Sequence, residues 1–112
     1  MKMITAILRP SVIDDLREEL AKIDVAGITA TNVKGFGVQK GHTEQYRGNE
    51  YQVDFVPKVK LEIAVSDGFV DKTLEVIQSV AKSGKIGDGK IFITNIEKVI
   101  RIRTGDLDNN AL

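Results

Sequence analysis

The stretch Lys58-Val59-Lys60-Leu61-Glu62-Ile63-Ala64-Val65 has a branched apolar residue at every second position. Successive side chains of a β-strand point to opposite faces, so Val59, Leu61, Ile63 and Val65 share one face. The other face carries two lysines, a glutamate and an alanine. This period of two predicts a strand that is buried on one side.

Upstream of this strand, strand and helix patterns alternate. The short apolar run from Met3 to Leu8, closed by Arg9-Pro10, predicts a buried strand. Ser11 offers a helix N-cap, and an apolar stripe at helical spacing runs from Val12 to Ile23. β-Branched residues from Ile28 to Val33 favour a second strand. This half of the chain is therefore predicted to be strand, helix, strand.

Downstream, the alternation continues. An amphipathic pattern from Val70 to Ala81 predicts a second helix. Apolar runs predict a strand from Ile91 to Ile96 and a last short strand from Val99 to Arg103. We expect the polar tail from Thr104 to Asn110 to be loosely ordered in isolation.

The order of elements, β-α-β-β-α-β with an extra short strand, is that of a ferredoxin-like α+β domain with an antiparallel sheet. A chain of 112 residues fits a single domain. Two helices cover only one face of such a sheet. We therefore expect Ile, Val and Leu side chains to be exposed on the other face, which favours a homo-oligomer.

Composition excludes several classes of protein. There are 16 basic residues (lysine plus arginine) and 16 acidic residues (aspartate plus glutamate). This neutral net charge argues against non-specific electrostatic binding to nucleic acid or anionic lipid. Aromatic residues make up 5%, too few for the stacking surface of a ferredoxin-like RNA binder. There is no cysteine, and no apolar run is long enough to span a membrane. The sequence predicts a soluble, cytoplasmic protein that does not bind nucleic acid.

A long polar segment, Lys34 to Tyr51, separates two predicted strands. Such long connections are usually functional or disordered. Its Gly35-Phe36-Gly37 start lets a ligand approach the backbone, but Lys40 replaces the final glycine of a dinucleotide fingerprint. Its tyrosines suit either loop anchoring or partner recognition. The single histidine, His42, has no catalytic partners in a recognisable pattern, so we interpret it as a solvated loop residue.

The stretch from Ser83 to Lys90 is the second glycine-rich segment. Gly84 to Lys90 matches the G-x-x-x-x-G-K half of a phosphate-binding loop, but Ile91 stands where the magnesium-binding hydroxyl is required. A helix also leads into this segment, whereas in that motif a strand does. Its glycines and Lys90 could still bind phosphate. An ordinary helix-to-strand connection is an equal alternative.

Arg101 and Arg103 form a second candidate anion site. Two residues apart on a strand, they would point to the same face and present paired guanidinium groups to phosphate oxygens. A solvated strand edge is the alternative that the isolated pattern favours.

Together these residues resemble the PII family of nitrogen-regulatory signal proteins. The resemblance covers nearly the whole chain and is carried by three stretches in order: KGFGVQKGHTEQYRGNEY (34–51), GKIGDGKIF (84–92) and VIRIRTG (99–105). It implies a single PII-type domain over residues 1–112. Within it, the T-loop would span about residues 37–55, the B-loop about 82–90 and the C-loop about 102–112.

The resemblance implies a homotrimer with nucleotide sites in the clefts between subunits. Gly87, Asp88, Gly89 and Lys90 would cradle the phosphates of ATP or ADP, and Arg101 and Arg103 would reach them across the subunit boundary. The remaining nucleotide contacts would come from Thr29, Glu62 and Ala64 around the adenine and from Gly37 and Val38 closing over it.

The same resemblance implies that 2-oxoglutarate binds beside magnesium-ATP. Gln39 would ligate Mg²⁺, the backbone from Gly37 through Gln39 and Lys40 to Gly41 would hold the acid, and Lys58 would pair with its distal carboxylate. A cation is needed because dicarboxylate and triphosphate repel each other. Val38 departs from the family, in which many members have arginine there.

The T-loop tip would dock partners through Tyr46, Arg47 and Tyr51, and Tyr51 is the position that is uridylylated or adenylylated in many bacteria. The implied function is non-enzymatic nitrogen signalling. Implied targets are an ammonium transporter, which would recruit the protein to the membrane, glutamine synthetase adenylyltransferase, a sensor kinase or nitrogenase-regulating enzymes. The alternative is a ferredoxin-like small phosphohydrolase, which would need a base or nucleophile beside the phosphate loop.

Overall fold

In a computed structural model, the protein is described over residues 1–25, 27–36 and 55–112. The described part contains the predicted β-α-β-β-α-β order, which confirms the ferredoxin-like α+β class. The strands are β1 (Lys2–Leu8), β2 (Ile28–Gly35), β3 (Val56–Val65) and β4 (Lys90–Asn95), and the helices are α1 (Ile13–Lys22) and α2 (Val70–Ala81).

The four strands form one antiparallel sheet in the order β2-β3-β1-β4. The predicted alternation in β3 is confirmed, because Val59, Leu61, Ile63 and Val65 are all buried. Their partners in β1 extend this buried face across the sheet: Ile4 lies opposite Ile63, and Ala6 opposite Leu61.

Both helices pack on this buried face. Leu16 and Leu20 of α1 and Ile77 and Ala81 of α2 join the strand side chains in one hydrophobic cluster. Burial of such a face is the main stabilising term for the domain. The buried hydroxyl of Thr73 donates a 2.7 Å hydrogen bond to the Phe69 carbonyl, so the polar group in this core is satisfied.

The face without helices is more polar than predicted. Its positions in β1, β3 and β4 hold mainly threonine, lysine and glutamate, and no leucine of the described strands points there. Apolar side chains on it include Met3, Ile7 and the 52% exposed Phe92. Neither helix of the described part is long and apolar enough to cross a membrane.

The predicted N-cap at Ser11 is wrong. A 3-10 turn over Pro10–Val12 precedes α1, whose N-cap is Val12 with no capping side-chain hydrogen bond. Proline has a fixed φ that suits the first turn of a helix, so the chain already begins to turn at Pro10. The carboxylates of Asp14 and Asp15 do lie in the first turn of α1, where the helix dipole favours them.

The last predicted strand, Val99 to Arg103, is also wrong. One isolated bridge joins Ile100 to Leu107, because the chain reverses between them. Gly105, with a φ of 77°, donates to the Arg101 carbonyl at 2.7 Å.

The tail is ordered, contrary to expectation. Residues Asp108–Ala111 form a 3-10 helix. The Asp108 amide donates to the Val99 carbonyl at 2.8 Å, and its carboxylate accepts from the Val99 amide at 3.1 Å. These paired contacts fix the chain end to the segment that follows β4.

Candidate functional site

The connection from α2 to β4, residues 82–89, is called the glycine loop below. Gly84, Gly87 and Gly89 have φ values of 85°, 105° and 103°, a region that other residues rarely adopt. At Gly89 a Cβ atom would collide with the carbonyl oxygen of Ile7. Glycine is therefore required there, since the loop lies directly against the end of β1.

The Asp88 side chain organises the glycine loop from within. One carboxylate oxygen accepts from the amides of Ser83 and Gly84, both at 2.8 Å, and the other accepts from the Ser83 hydroxyl and from Arg9. The hydrogen bond from the Ser83 hydroxyl, followed by that from the Ser83 amide, lowers the pKa of Asp88 strongly. Desolvation opposes this shift without cancelling it. The carboxylate is thus held ionised inside the loop.

Lys58 of β3 closes the other side of the loop. Its Nζ donates to the Gly87 carbonyl at 2.8 Å. The contact ties the strand that leads out of the long segment to the loop that was predicted to bind phosphate. Two candidate residues from distant parts of the sequence therefore meet in the structure.

A cavity of about 380 Å³ opens where these parts meet. It is bounded by the end of β2, the start of β3, the glycine loop and the first residues of β4. Its cationic side chains are Lys58 and Lys90, and its apolar lining comes from Ile7, Phe36, Val56, Ile86 and Phe92. Gly87 and Gly89 expose backbone to it. Cations and glycine backbone in one concave site suit an anionic ligand that has an apolar part.

The residues predicted to contact adenine lie together elsewhere on the sheet. Thr29 and Glu62 are direct cross-strand partners on the face without helices, and Ala64 is on the same face two residues further along β3. Ala64 also lines a second cavity of about 460 Å³, with Gly27, Phe69 and Leu112 among its other walls. This cavity is at the opposite end of β3 from Lys58.

Arg101 and Arg103 do not share a strand face, since residues 102–104 form a turn. Arg101 contacts the Asp106 carboxylate at 3.4 Å and the Leu112 carbonyl at 3.3 Å. Arg103 is exposed. Because Leu112 lines the second cavity, the arginines belong to that end of the molecule and not to the glycine loop of their own chain.

Several predicted residues lie outside the described part. They are the nucleotide and 2-oxoglutarate residues Gly37, Val38, Gln39, Lys40 and Gly41, the partner and modification residues Tyr46, Arg47 and Tyr51, and His42. Within the described ranges, no group of three His, Cys, Asp or Glu side chains is placed to hold a metal ion.

Sequence reasoning missed two features of the site. Arg9 was interpreted only as the end of a strand, yet it contacts the glycine loop. Phe36, near the start of the long segment, and Phe55, after its end, approach each other with ring centroids 5.7 Å apart. The only local signal for Arg9 is that a charged residue ends a buried strand. No local sequence pattern indicates that the two phenylalanines contact each other.

The fold defines a small ferredoxin-like α+β domain, and the cavity is its candidate ligand site. Comparison with known proteins identifies the family within this class. The family model for "Nitrogen regulatory protein P-II" matches residues 1–106. Curated relatives of that name from Klebsiella oxytoca and Pasteurella multocida are 57% and 56% identical over 112 residues. "Nitrogen regulatory protein P-II 1" of Escherichia coli K12 is 57% identical, and in all three pairs both chains are covered completely.

The chain therefore belongs to the P-II family of nitrogen regulatory proteins. The resemblance found in its sequence is confirmed over essentially its full length. Membership assigns the protein to signal transduction in nitrogen regulation.

Proposed function

We propose that this protein is a non-enzymatic sensor that binds ATP or ADP and, with Mg²⁺, 2-oxoglutarate. The observation that carries the proposal is the cavity in which the glycine loop and Lys58 meet Phe36, near the start of the long segment, and Val56, the first residue of β3. A ligand bound there contacts the base of the segment that would contact targets. Binding can then bias the segment's conformation, which is the linkage a sensor requires.

The glycine loop fits the phosphates. Gly87, Gly89 and Lys90 line the cavity, whereas the Asp88 carboxylate is turned into the loop, toward Ser83. The one acidic side chain of this loop therefore presents no free negative charge to a phosphate. In the proposal, Asp88 contributes its backbone and its organisation of the loop, and Lys90 contributes charge.

Lys58 fits the distal carboxylate of 2-oxoglutarate. Its ammonium already lies within the cavity, at the Gly87 carbonyl, and an ammonium has three donors. It can therefore hold the loop and a carboxylate at once. The bound Mg²⁺, ligated by Gln39, would supply the positive charge between acid and phosphates. Gly37, Lys40 and Gly41 would bind the acid through their backbone.

A complete nucleotide site needs a second copy of the chain. Ala64 is six residues from Lys58 along β3, which is about 20 Å at a rise of about 3.4 Å per residue. The adenine residues and Arg101 and Arg103 thus lie far from the glycine loop of the same chain. A head-to-tail interface that brings one copy's loop to its neighbour's opposite end forms a ring when the rotation between copies closes. We propose a homotrimer with three such sites.

Residues 37–55, which include most of the long segment, are proposed to act as the T-loop. Tyr46, Arg47 and Tyr51 would form its partner-binding tip, and Tyr51 would be open to nucleotidylation. The B-loop and C-loop would be residues 82–90 and 102–112 of a single domain. Candidate targets are an ammonium transporter, glutamine synthetase adenylyltransferase, a sensor kinase or nitrogenase-regulating enzymes. We propose a cytoplasmic protein that a transporter recruits to the membrane.

Calorimetry tests this function directly. ATP and ADP should bind without 2-oxoglutarate, whereas 2-oxoglutarate should bind only when ATP and Mg²⁺ are present. Binding of 2-oxoglutarate that is independent of ATP, or its absence under all conditions, would contradict the coupled sensor. Steady-state hydrolysis of ATP or an acyl phosphate at enzyme-like rates would support the phosphohydrolase instead.

A further inference from the structure

The glycine loop has little regular structure of its own. Residues 83–89 form neither helix nor strand, with a bend at residues 84–85 and a single turn at residues 86–87. Three of the loop's eight residues are glycines with positive φ, which carry a large conformational entropy in the unfolded chain. Side chains must therefore supply much of the order of this loop.

Asp88 closes the loop on itself, but it does not attach the loop to the sheet. Its carboxylate joins the exit of the loop to the amides of Ser83 and Gly84 at the entry. A loop closed in this way can still pivot about its ends. Lys58 of β3 holds the loop at one point, the Gly87 carbonyl. A second attachment, to β1, would fix where the glycine backbone faces.

Arg9, the residue after β1, makes that attachment at three points. Its Nη1 donates to the Asp88 carboxylate at 2.7 Å and to the Ser83 hydroxyl at 3.2 Å. Its Nη2 donates to the Ile86 carbonyl at 3.1 Å. Exit, entry and middle of the loop are thus held by one planar guanidinium. The Arg9 side chain is 29% exposed, so water screens these contacts only in part.

We propose that Arg9 is a positioning residue for the glycine loop, which fixes the backbone of Gly87 and Gly89 toward the cavity without itself binding the nucleotide. The proposal rests on the nucleotide site proposed above for its effect on affinity. Its effect on the free loop stands independently. Arg9 does not line the cavity, whereas Gly87 and Gly89 do, which separates its role from that of Lys58 or Lys90.

Hydrogen–deuterium exchange on the ligand-free protein, combined with ATP calorimetry, tests this role. Arg9→Met keeps much of the side-chain volume but removes all three contacts. We expect exchange of the Ser83, Gly84 and Lys85 amides to accelerate and ATP affinity to fall about tenfold, as for loss of a hydrogen bond to a charged group. Arg9→Lys, which retains the charge beside Asp88, should restore part of both. Arg17→Met, on the exposed side of α1, is the matched control and should change neither.

The exchange and binding results together distinguish a positioning role of Arg9 from a direct contact with ATP. Unchanged exchange in Arg9→Met overturns the proposal, and unchanged exchange with lost ATP binding identifies Arg9 as a direct ligand instead. If the wild-type protein binds no ATP, the proposed function fails while the exchange comparison still tests Arg9. If Arg9→Met does not fold, Arg9→Lys carries the test: exchange as slow as in the wild type would contradict the three-point attachment.

Discussion

Asp88 places a negative charge inside a loop that is proposed to bind phosphate. The charge is tolerable because the carboxylate accepts hydrogen bonds from Ser83, Gly84 and Arg9 and is turned away from the cavity. Its strongly lowered pKa, caused first by the Ser83 hydroxyl, follows from those contacts. The acid thus organises the loop, and the proposed ligand contacts are left to Lys58 and Lys90, which line the cavity.

The lowered pKa of Asp88 predicts a pH dependence of stability with a definite sign. Since the folded-state pKa lies below the unfolded value near 3.8, the stabilisation is fully present above that value and is lost as pH falls below it. Asp88→Asn should therefore be less stable than the wild type at pH 7. The difference in unfolding free energy, measured with urea, should shrink between about pH 4 and pH 2.

Asp67 provides the control for this prediction. Its pKa is also lowered, mainly by the hydrogen bond from the N-terminal amine and then by Lys2, and it lies at the opposite end of the sheet. Asp67→Asn should also reduce the pH dependence of stability but leave amide exchange in the glycine loop unchanged. If the difference in unfolding free energy between the wild type and Asp88→Asn stays constant from neutral to strongly acidic pH, the stabilising role of the ionised Asp88 is contradicted.

Gly84 and Gly89 allow two requirements for glycine to be separated: the positive φ, which both residues share, and the lack of space for a Cβ atom, which applies only at Gly89. Both have positive φ, but only at Gly89 does a Cβ atom meet β1; at Gly84 it meets nothing within 4 Å. Gly84→Ala should lower the free energy of unfolding by about 1–2 kcal/mol, the cost of a left-handed backbone. Gly89→Ala should cost a further 1–3 kcal/mol, roughly, from overpacking.

Urea denaturation measures the unfolding free energy of these two variants. Equal losses of stability in the two variants would show that the loop yields at Gly89 and that its contact with Ile7 is not fixed. A greater loss in Gly89→Ala supports a loop that is held firmly against the end of β1.

At the scale of elements, the sequence correctly predicted the strands and helices that have a local hydrophobic periodicity. The alternation in β3 and the apolar stripes of the helices are short-range patterns, and they placed the core correctly. Ser11 failed as a cap because Pro10 starts the turn earlier. The last strand failed because pairing between Ile100 and Leu107 depends on a chain reversal that its β-branched residues do not encode.

The candidate site was predictable in part, for the same reason. Glycine spacing indicated a loop of unusual backbone, and the structure places it against Lys58. Arg9 was not predictable, because its three contacts lie more than 70 residues away and no local pattern records them. Long-range side-chain contacts of this kind require the fold.

At the scale of the whole molecule, the two groups of candidate residues lie at opposite ends of one sheet. Lys58, Lys90 and the glycine loop are at one end, and Ala64 and the segment that carries Arg103 are at the other. In the proposed function, one chain holds halves of two different sites. Assembly into a ring would give each half its complement, so nucleotide binding would depend on oligomerisation.

Mixing two defective variants tests this arrangement. Lys90→Met should damage the proposed loop half of the site, and Arg103→Gln the other half. Arg103 is exposed, so its replacement should leave the fold intact. Each variant alone should bind ATP weakly. After co-refolding in equal amounts, about a quarter of the interfaces should combine two intact halves and bind ATP as the wild type does. Recovery of no sites would show that one chain supplies the whole site.

The central claim is that 2-oxoglutarate and ATP are sensed together at the base of the long segment, through Lys58. Calorimetric titration of ATP with and without 2-oxoglutarate, in Mg²⁺, tests it most directly, in the wild type and in Lys58→Met. In the wild type, 2-oxoglutarate should tighten ATP binding at least about fivefold, and ATP should tighten 2-oxoglutarate binding by the same factor. Lys58→Met should still bind ADP, though more weakly because the contact with the Gly87 carbonyl is lost, and should show no such coupling. An equal ATP affinity with and without 2-oxoglutarate in the wild type would contradict the account.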